Sequence, residues 1–424
     1  MSKSWPGSLI TKTPVTPAGP YQDGAAPGVW TLSEQAYWNK QGLWPTAGKS
    51  LSIAVGHVTS PYITAYPWSG SGFGTKYSNP STLPTGAGQS VAFSPDSASI
   101  AVAHANSPFI TAYTWSGSGF GTKYSDPSTL PASTGLSVAF SPDSASIALS
   151  HGSTPYIFVY PWSGSGFGTK YSNPSTLPSG TGYDVAFSPD GASIAVAHNG
   201  SPYITAYPWS SSGFGTKYSD PSTLPTGNGR GVAFSSDGAS IAVGHNTTPY
   251  VSAYPWSGSS FGTKYSDPST LPTGIGWSVA FSPDSSAIAV AHSTSPYITA
   301  YPWSGSGFGT KYSNPSTLPT NTGNTVAFSP DGASIAVAHT SSPYITAYPW
   351  NGSGFGTKYS DPSTLPTGTS YSVAFSPDGT SIAVAHTSSP YITAYPWSGS
   401  GFGTKYSDPS TLPTGNGVGV AFGG

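Results

Sequence analysis

The sequence predicts an all-β fold, an eight-bladed β-propeller, and the first two observations behind this prediction come from its repeats. A unit of 47 residues recurs eight times without a slip, as the spacing of the histidines shows: His57, His104, His151, His198, His245, His292, His339 and His386. Each unit contains four short apolar runs separated by Gly, Pro, Ser, Asn and Asp, and it lacks a stretch of helical periodicity. Repeats of roughly 40 to 50 residues with four strands are typical of propeller blades.

The third observation is an offset between the two ends of the repeat region. The region opens near Lys49 with the second strand of a unit, and Thr46 stands where a first strand would carry its phenylalanine. An isolated first strand ends the chain, and its Phe422 lies 376 residues, or eight units, beyond position 46. We therefore expect the C-terminal strand to complete the first blade and to hide the open sheet edges. This divides the chain into an N-terminal arm, residues 1–48, and the propeller, residues 49–424.

Four strands are predicted in each unit, and we label them a to d. In one unit they are SVAFS (residues 90–94), SIAVAH (residues 99–104), PFITAYTW (residues 108–115) and FGTKYS (residues 120–125). The SPDS or SPDG turn between a and b places Pro and Asp at the centre of a tight turn. Strand a is expected to be innermost. The d-to-a and b-to-c connections then emerge on one face of the disk, and the other turns emerge on the opposite face.

The arm does not repeat. Thr31 and Glu34 form a capping box that predicts a short helix over residues 32–41, ending at Gly42. A helix this short needs something to pack against. The aromatic and aliphatic side chains around it either pack on the propeller or form a docking surface inserted into a partner: Trp30, Trp38, Leu43 and Trp44.

The composition excludes several classes of protein. Among 424 residues there are 53 Gly and 43 Pro, only 7 % are charged, and the formal net charge is −2. A chain with so few cations is not expected to bind nucleic acid or to anchor on a membrane through basic residues. It has no cysteine, which excludes disulfides and thiolate chemistry. Without a long apolar run, neither membrane insertion nor a signal peptide is predicted.

The residues that could carry chemistry are explained by the repeat. Corresponding histidines of neighbouring blades are expected about 10 Å apart, too far to share a metal ion, so they are predicted to be structural. Glu34 is the one glutamate, and it serves as a cap. Asp184 and Arg230 are the charged residues of the propeller that depart from the repeat, and such a pair does not complete a catalytic set. We therefore expect no enzyme activity, no cofactor and no metal.

One position varies more than any other between otherwise copied units, two residues before the valine of strand a. It is expected to ring the channel mouth because strand a is innermost. Aromatic, amide and cationic groups in one ring are typical of recognition surfaces, so the ring is predicted to bind a ligand or receptor, with drift at exposed loops as the alternative. The ring consists of Gln89, Leu136, Tyr183, Arg230, Trp277, Asn324, Tyr371 and Val418.

The repeats resemble those of the WD-repeat superfamily of propellers. The run VAFSPDG at residues 185–191, 326–332 and 373–379 and the Trp that ends strand c carry this resemblance. It departs from the family pattern, because the Trp is followed by Ser or Asn rather than Asp, and the His closes strand b. The resemblance implies a non-catalytic platform for binding.

The run DGAAPGVWTLSEQAYWNKQGLWP of the arm resembles a segment of tail and other virion proteins of tailed bacteriophages. This resemblance implies a virion protein, assembled in the host cytoplasm, that is a tail fibre, appendage or capsid decoration. Its expected partners are other virion proteins, bound through the arm, and a host-surface glycan or protein, bound by the variable face, with a homo-oligomer in the particle as a further arrangement. A purely architectural cement protein and a non-viral WD-type interaction scaffold are the alternatives.

Overall fold

A computed structural model describes residues 51–423 and shows eight antiparallel sheets that form a closed all-β propeller. The predicted fold class is confirmed. The helix predicted over residues 32–41 lies outside the described residues. The docking residues of the arm lie outside them as well: Trp30, Trp38, Leu43 and Trp44.

The strands of each blade follow the predicted order from the inside outwards. Strand a spans, from blade 1 to blade 8, Gly417–Gly423, Gly88–Phe93, Gly135–Phe140, Gly182–Phe187, Gly229–Phe234, Gly276–Phe281, Gly323–Phe328 and Ser370–Phe375. Strand b spans Ser52–His57, Ser99–His104, Ser146–His151, Ser193–His198, Ser240–His245, Ala287–His292, Ser334–His339 and Ser381–His386. Strand c spans Ile63–Ser69, Ile110–Trp115, Ile157–Ser163, Ile204–Ser210, Val251–Pro255, Ile298–Pro302, Ile345–Pro349 and Ile392–Pro396.

Strand d is shorter than predicted, and proline explains why. It spans Gly72–Phe73, Phe120–Lys123, Gly166–Phe167 and Gly213–Phe214 in blades 1 to 4, and it is a single bridge in blades 5 to 8. In seven units strand c carries a proline before its Trp, and proline has no N–H to give to a ladder. Blade 2 has Thr114 at this position, and its strand d is the longest of those described.

The C-terminal strand closes the ring in blade 1, as predicted. It pairs antiparallel with strand b of that blade, with Ile53 opposite Phe422 and Val55 opposite Val420. The Phe422 ring meets Trp68 edge-on at a centroid distance of 5.3 Å. The first blade therefore takes its inner strand from one end of the chain and its other strands from the other end.

The hydrophobic core lies between the blades in eight equivalent clusters. Between blades 1 and 2, the small side chains of Ala54 and Ala65 face Ile100, Tyr113 and Trp115 of the next blade, and all five are buried. The cluster between blades 8 and 1 contains the five equivalent residues, so the packing continues around the ring. Strand b of blade 1 thus presents Ala54 to blade 2 and Ile53 and Val55 to blade 8. Within residues 51–423 no helix is long and apolar enough to cross a membrane.

The eight histidines are structural, and all are fully buried at the end of strand b. In blade 1 the Nε2 of His57 lies 2.9 Å from the Thr64 hydroxyl of strand c, and six other blades repeat this pair with Thr or Ser. Blade 3 has Phe158 instead, so both ring nitrogens of His151 lack a hydrogen-bond partner among the described residues. Burial lowers the pKa of each of these imidazoles to about 4.

Candidate functional site

The eight variable positions line one cavity at the mouth of the central channel. The cavity has a volume of about 360 Å³, and its lining includes every residue of the predicted ring. That volume falls within the range of small-ligand sites. The structure therefore brings the whole predicted ring together, and its role in binding stays a prediction.

Each ring residue is the extra residue of a β-bulge in strand a. In blade 2, Gly88 pairs with His104 and Ser90 pairs with Ala103, which leaves Gln89 without a partner across the ladder. The other seven blades have the same shift in register. A bulge turns a side chain away from its regular direction and leaves its backbone outside the ladder. The fold thus points eight side chains into the channel mouth without requiring any particular residue there.

The glycine before the bulge is fixed by a close backbone contact. A Cβ on Gly88 would lie 2.4 Å from the backbone oxygen of Tyr62 in the neighbouring blade, and a Cβ on Gly135 would meet the oxygen of Phe109 at the same distance. No side chain fits in such a gap, so glycine allows the two blades to approach. Seven blades have glycine directly before the variable residue, and blade 8 has Ser370 there.

The ring is chemically divided. Blades 1 to 3 contribute Val418, Gln89 and Leu136, which give that side an aliphatic wall with one amide. Blades 4 to 8 contribute the aromatic, charged and remaining amide residues: Tyr183, Arg230, Trp277, Asn324 and Tyr371. The cavity therefore has an apolar side and a side that combines aromatic faces with polar groups.

Arg230 lies between two aromatic rings from the neighbouring blades. Its Cζ atom is 4.4 Å from the centroid of the Tyr183 ring and 5.1 Å from that of the Trp277 ring. Both distances are within the range of cation–π contacts. Three consecutive bulges thus assemble one cluster.

Asp184 lies one residue beyond the bulge in blade 4, and its carboxylate joins three blades. Oδ1 accepts hydrogen bonds from the Ser137 hydroxyl of blade 3 and from the Val185 N–H, both at 2.9 Å, and Oδ2 accepts one from the Val232 N–H of blade 5 at 3.0 Å. Burial raises the pKa of this carboxyl against the effect of the three donors. The Asp184 carboxylate therefore links the a strands of blades 3, 4 and 5.

Sequence reasoning missed the bulge and the layer of small polar residues beneath the ring. Serine hydroxyls of this layer lie 3.4 Å from the valine N–H of the next blade, as Ser90 does from Val138 and Ser278 from Val326. A glycine directly before the variable residue in seven of the eight units was the available signal, because isolated glycines in strands mark bulges and close approaches. Within residues 51–423 no group of three or more His, Asp or Glu side chains is arranged to hold a metal ion.

Comparison with known proteins identifies the fold. No family model matches the chain, and no curated protein matches its sequence. Among solved structures, a candidate 6-phosphogluconolactonase from Bacteroides fragilis matches with a TM-score of 0.58 at 13 % identity, over 90 % of this chain and 100 % of its own. The periplasmic gluconolactonase of Pseudomonas aeruginosa matches with a TM-score of 0.56 at 17 % identity, over 76 % of this chain and 97 % of its own. A protein from Lactobacillus plantarum matches with a TM-score of 0.58 at 16 % identity, over 76 % and 98 %.

These similarities overturn the expectation that the chain is not an enzyme. That expectation treated a uniform propeller as a non-catalytic platform, whereas solved propellers of this shape include proteins named as lactonases. At identities of 13 to 17 %, these similarities establish the fold but do not show which reaction this chain could catalyse. None of these three structures is described as a viral protein or as a WD-repeat protein.

Proposed function

We propose that the propeller binds a carbohydrate, one or two sugar rings in size, at the channel mouth. The observation that supports this most is the meeting of aromatic faces and side-chain amides on one cavity of about 360 Å³. Trp277, Tyr183 and Tyr371 supply flat apolar faces, and Gln89 and Asn324 supply amides. A sugar ring has apolar C–H faces and a rim of hydroxyls, so it needs both kinds of contact.

The position of these groups also favours a ligand. Tyr371 is 42 % exposed, an uncommon exposure for a large aromatic side chain, and so its ring is open to solvent. The Nδ2 of Asn324 donates a hydrogen bond to the Ser370 backbone oxygen at 2.8 Å. This contact fixes the orientation of the amide and therefore of its Oδ1 atom. The names of two structural neighbours, a candidate 6-phosphogluconolactonase and a gluconolactonase, give the same ligand class, since both names refer to derivatives of a six-carbon sugar.

The biological setting that we propose is a bacteriophage particle, with the arm attached to other virion proteins and the variable face turned to a host-surface glycan. This part depends on the resemblance of residues 23–45 alone. Removal of residues 1–48 should abolish incorporation into particles while leaving carbohydrate binding unchanged. Incorporation of the truncated chain at the normal level would refute the anchoring role.

The binding proposal is tested by isothermal titration of the full chain with glucose, cellobiose and glucono-1,5-lactone, with acid release from the lactone followed in parallel. Replacing Trp277 by Ala should weaken binding by about tenfold or more, because one stacked aromatic face is lost. The matched control is Leu130→Ala, which shortens an exposed side chain that does not line the cavity. Binding that is absent for all three ligands, or that Trp277→Ala leaves unchanged, would refute the proposal.

A further inference from the structure

The repeat is broken by a positive charge at one place in the channel mouth. Arg230 is the single arginine of the whole chain, and the other seven blades have an uncharged residue at the same bulge position. Its two neighbours in the ring are Tyr183 and Trp277, which are also unlike the aliphatic residues on the far side. A cation flanked by two aromatic residues occurs once in eight nearly copied units.

The aromatic rings restrict the guanidinium. With Tyr183 and Trp277 at 4.4 and 5.1 Å from its Cζ atom, the group is held between two rings rather than extended into solvent. Its Nε is covered and has no hydrogen-bond partner among residues 51–423. Arg230 is nevertheless only half-buried, and it lines the cavity. The group is therefore fixed in position and accessible to a ligand.

Arg230 differs from the lysines of the described propeller in its pairing. Every lysine of the described propeller has a side-chain oxygen acceptor three residues later, as Lys123 has in Asp126 and Lys170 in Asn173. Within the same range Arg230 forms no ion pair with an acidic residue. Asp184, the acidic residue that lines the same cavity, directs its carboxylate oxygens to Ser137, Val185 and Val232 instead.

The cavity therefore contains a fixed positive charge that has no ion-pair partner among the described residues. A guanidinium presents N–H groups in a planar fork that matches the oxygens of a carboxylate or a phosphate. Partial removal from water strengthens such a contact relative to one at an open surface. An uncharged sugar would leave this half-buried charge without a counter-ion.

We propose that Arg230 forms an oxyanion subsite, so that the carbohydrate bound at the channel mouth is an acidic one that carries a carboxylate or a phosphate group. This inference depends on the proposed function for the sugar ring and adds the charge of the ligand. The Trp277 and Tyr183 faces contact the ring, and Arg230 selects the acidic group.

The test compares three ligands with the same ring, glucose, glucuronate and glucose 6-phosphate, by titration of the full chain at low salt. We expect at least one of the two anions to bind about tenfold or more tightly than glucose, because a charge-assisted fork adds to the ring contacts. The anion that binds more tightly shows whether the subsite prefers a carboxylate or a phosphate. Raising the salt concentration should reduce this preference and leave glucose binding nearly constant.

Arg230→Gln is the decisive variant, and Arg230→Lys is the conservative one. The Gln variant should bind all three ligands equally, at about the affinity of the original chain for glucose, and the Lys variant should recover part of the preference. Val418→Lys combined with Arg230→Gln places a cation on the opposite wall instead, and this matched control should not restore the preference. The thermal transition of each variant is measured to show that it is folded.

The outcomes separate this inference from the proposed function. Equal binding of the three ligands by the original chain, or a preference that Arg230→Gln preserves, would overturn the oxyanion subsite and leave the carbohydrate proposal standing. Binding of none of the three ligands would overturn both.

Discussion

Acidification should unfold the propeller through its eight buried histidines. Burial lowers the pKa of each imidazole to about 4 in the folded chain, whereas a histidine in an unfolded chain titrates near about 6.5. Between these values the unfolded chain binds more protons than the folded chain. The stabilisation is therefore fully present above about pH 6.5 and is lost as the pH falls towards about 4.

The size of the effect follows from the same two values. At about pH 5 each histidine lowers the free energy of unfolding by about 2 kcal/mol, and all eight together lower it by about 16 kcal/mol. The folded state of a typical domain is only about 5–15 kcal/mol more stable than its unfolded state. All eight imidazoles are fully buried, so solvent does not screen the effect. Asp184, whose pKa burial raises, acts in the opposite direction with a single group.

Proton uptake is the most direct measurement. The chain is unfolded by denaturant in weakly buffered solution, and the protons taken up are titrated at about pH 7.5 and about pH 5. Unfolding should take up about seven protons at the lower pH and almost none from these groups at the higher pH. An uptake of two protons or fewer at about pH 5 would show that the histidines titrate normally in the folded chain, and it would refute the reasoning.

A pair of variants in one strand separates titration from packing. His198→Gln removes one titrating group, so its loss of stability between the two pH values should be smaller than that of the original chain by about 2 kcal/mol. Ile194→Val removes a buried methyl group from the same strand and should cost about 1 kcal/mol at both pH values. If the two variants show the same pH dependence, His198 is not responsible.

Three further predictions concern the framework of the blades. Thr205→Val should lower the free energy of unfolding by about 1–3 kcal/mol, because it leaves the buried Nε2 of His198 without its partner at 2.8 Å. Thr205→Ser keeps the hydroxyl and should cost less. Equal losses of stability for the two variants in urea denaturation would contradict this prediction. Gly135→Ala should lower the free energy of unfolding by about 1–3 kcal/mol, because its Cβ would lie 2.4 Å from the Phe109 backbone oxygen. The control is Gly164→Ala, whose Cβ would meet nothing within 4 Å, and it should change the thermal transition little. Phe422→Ala should cost about 2 kcal/mol by removing the ring that packs on Trp68 and closes blade 1, and a thermal transition identical to that of the original chain would argue against closure by this strand.

The fold was predictable because its determinants are local and repeated eight times. The regular spacing of His and Trp, the turn residues and the offset of Phe422 together fix the number of blades and the way in which the ring closes. The length of strand d was not predicted, because the pattern of the run FGTKYS alone indicates a strand over all six residues. Its pairing ends early since the proline of strand c offers no N–H across the ladder, which is a property of the partner strand.

The residues of the site were predictable, but their local structure was not. Comparison of the units locates the variable position, and strand order places it at the channel. The bulge depends on a close contact between two blades, such as that between Gly88 and the Tyr62 oxygen, and the residues in contact belong to different units. The same limitation applies to Asp184, whose donors come from blades 3, 4 and 5.

The bulge also changes what the variability of the ring means. Because the bulged residue takes no part in the ladder and its side chain points into an open cavity, almost any residue is compatible with the fold there. Variation at this position is therefore expected even without selection for binding, and Val418 or Leu136 needs no functional explanation. The Tyr183, Arg230 and Trp277 cluster is different in kind. Within residues 51–423 its half-buried cation has no ion pair, and a charge in that position is unfavourable unless something else compensates it. The case for a ligand thus depends on these three residues, and substitutions at Leu136 and Val418 should leave binding nearly unchanged.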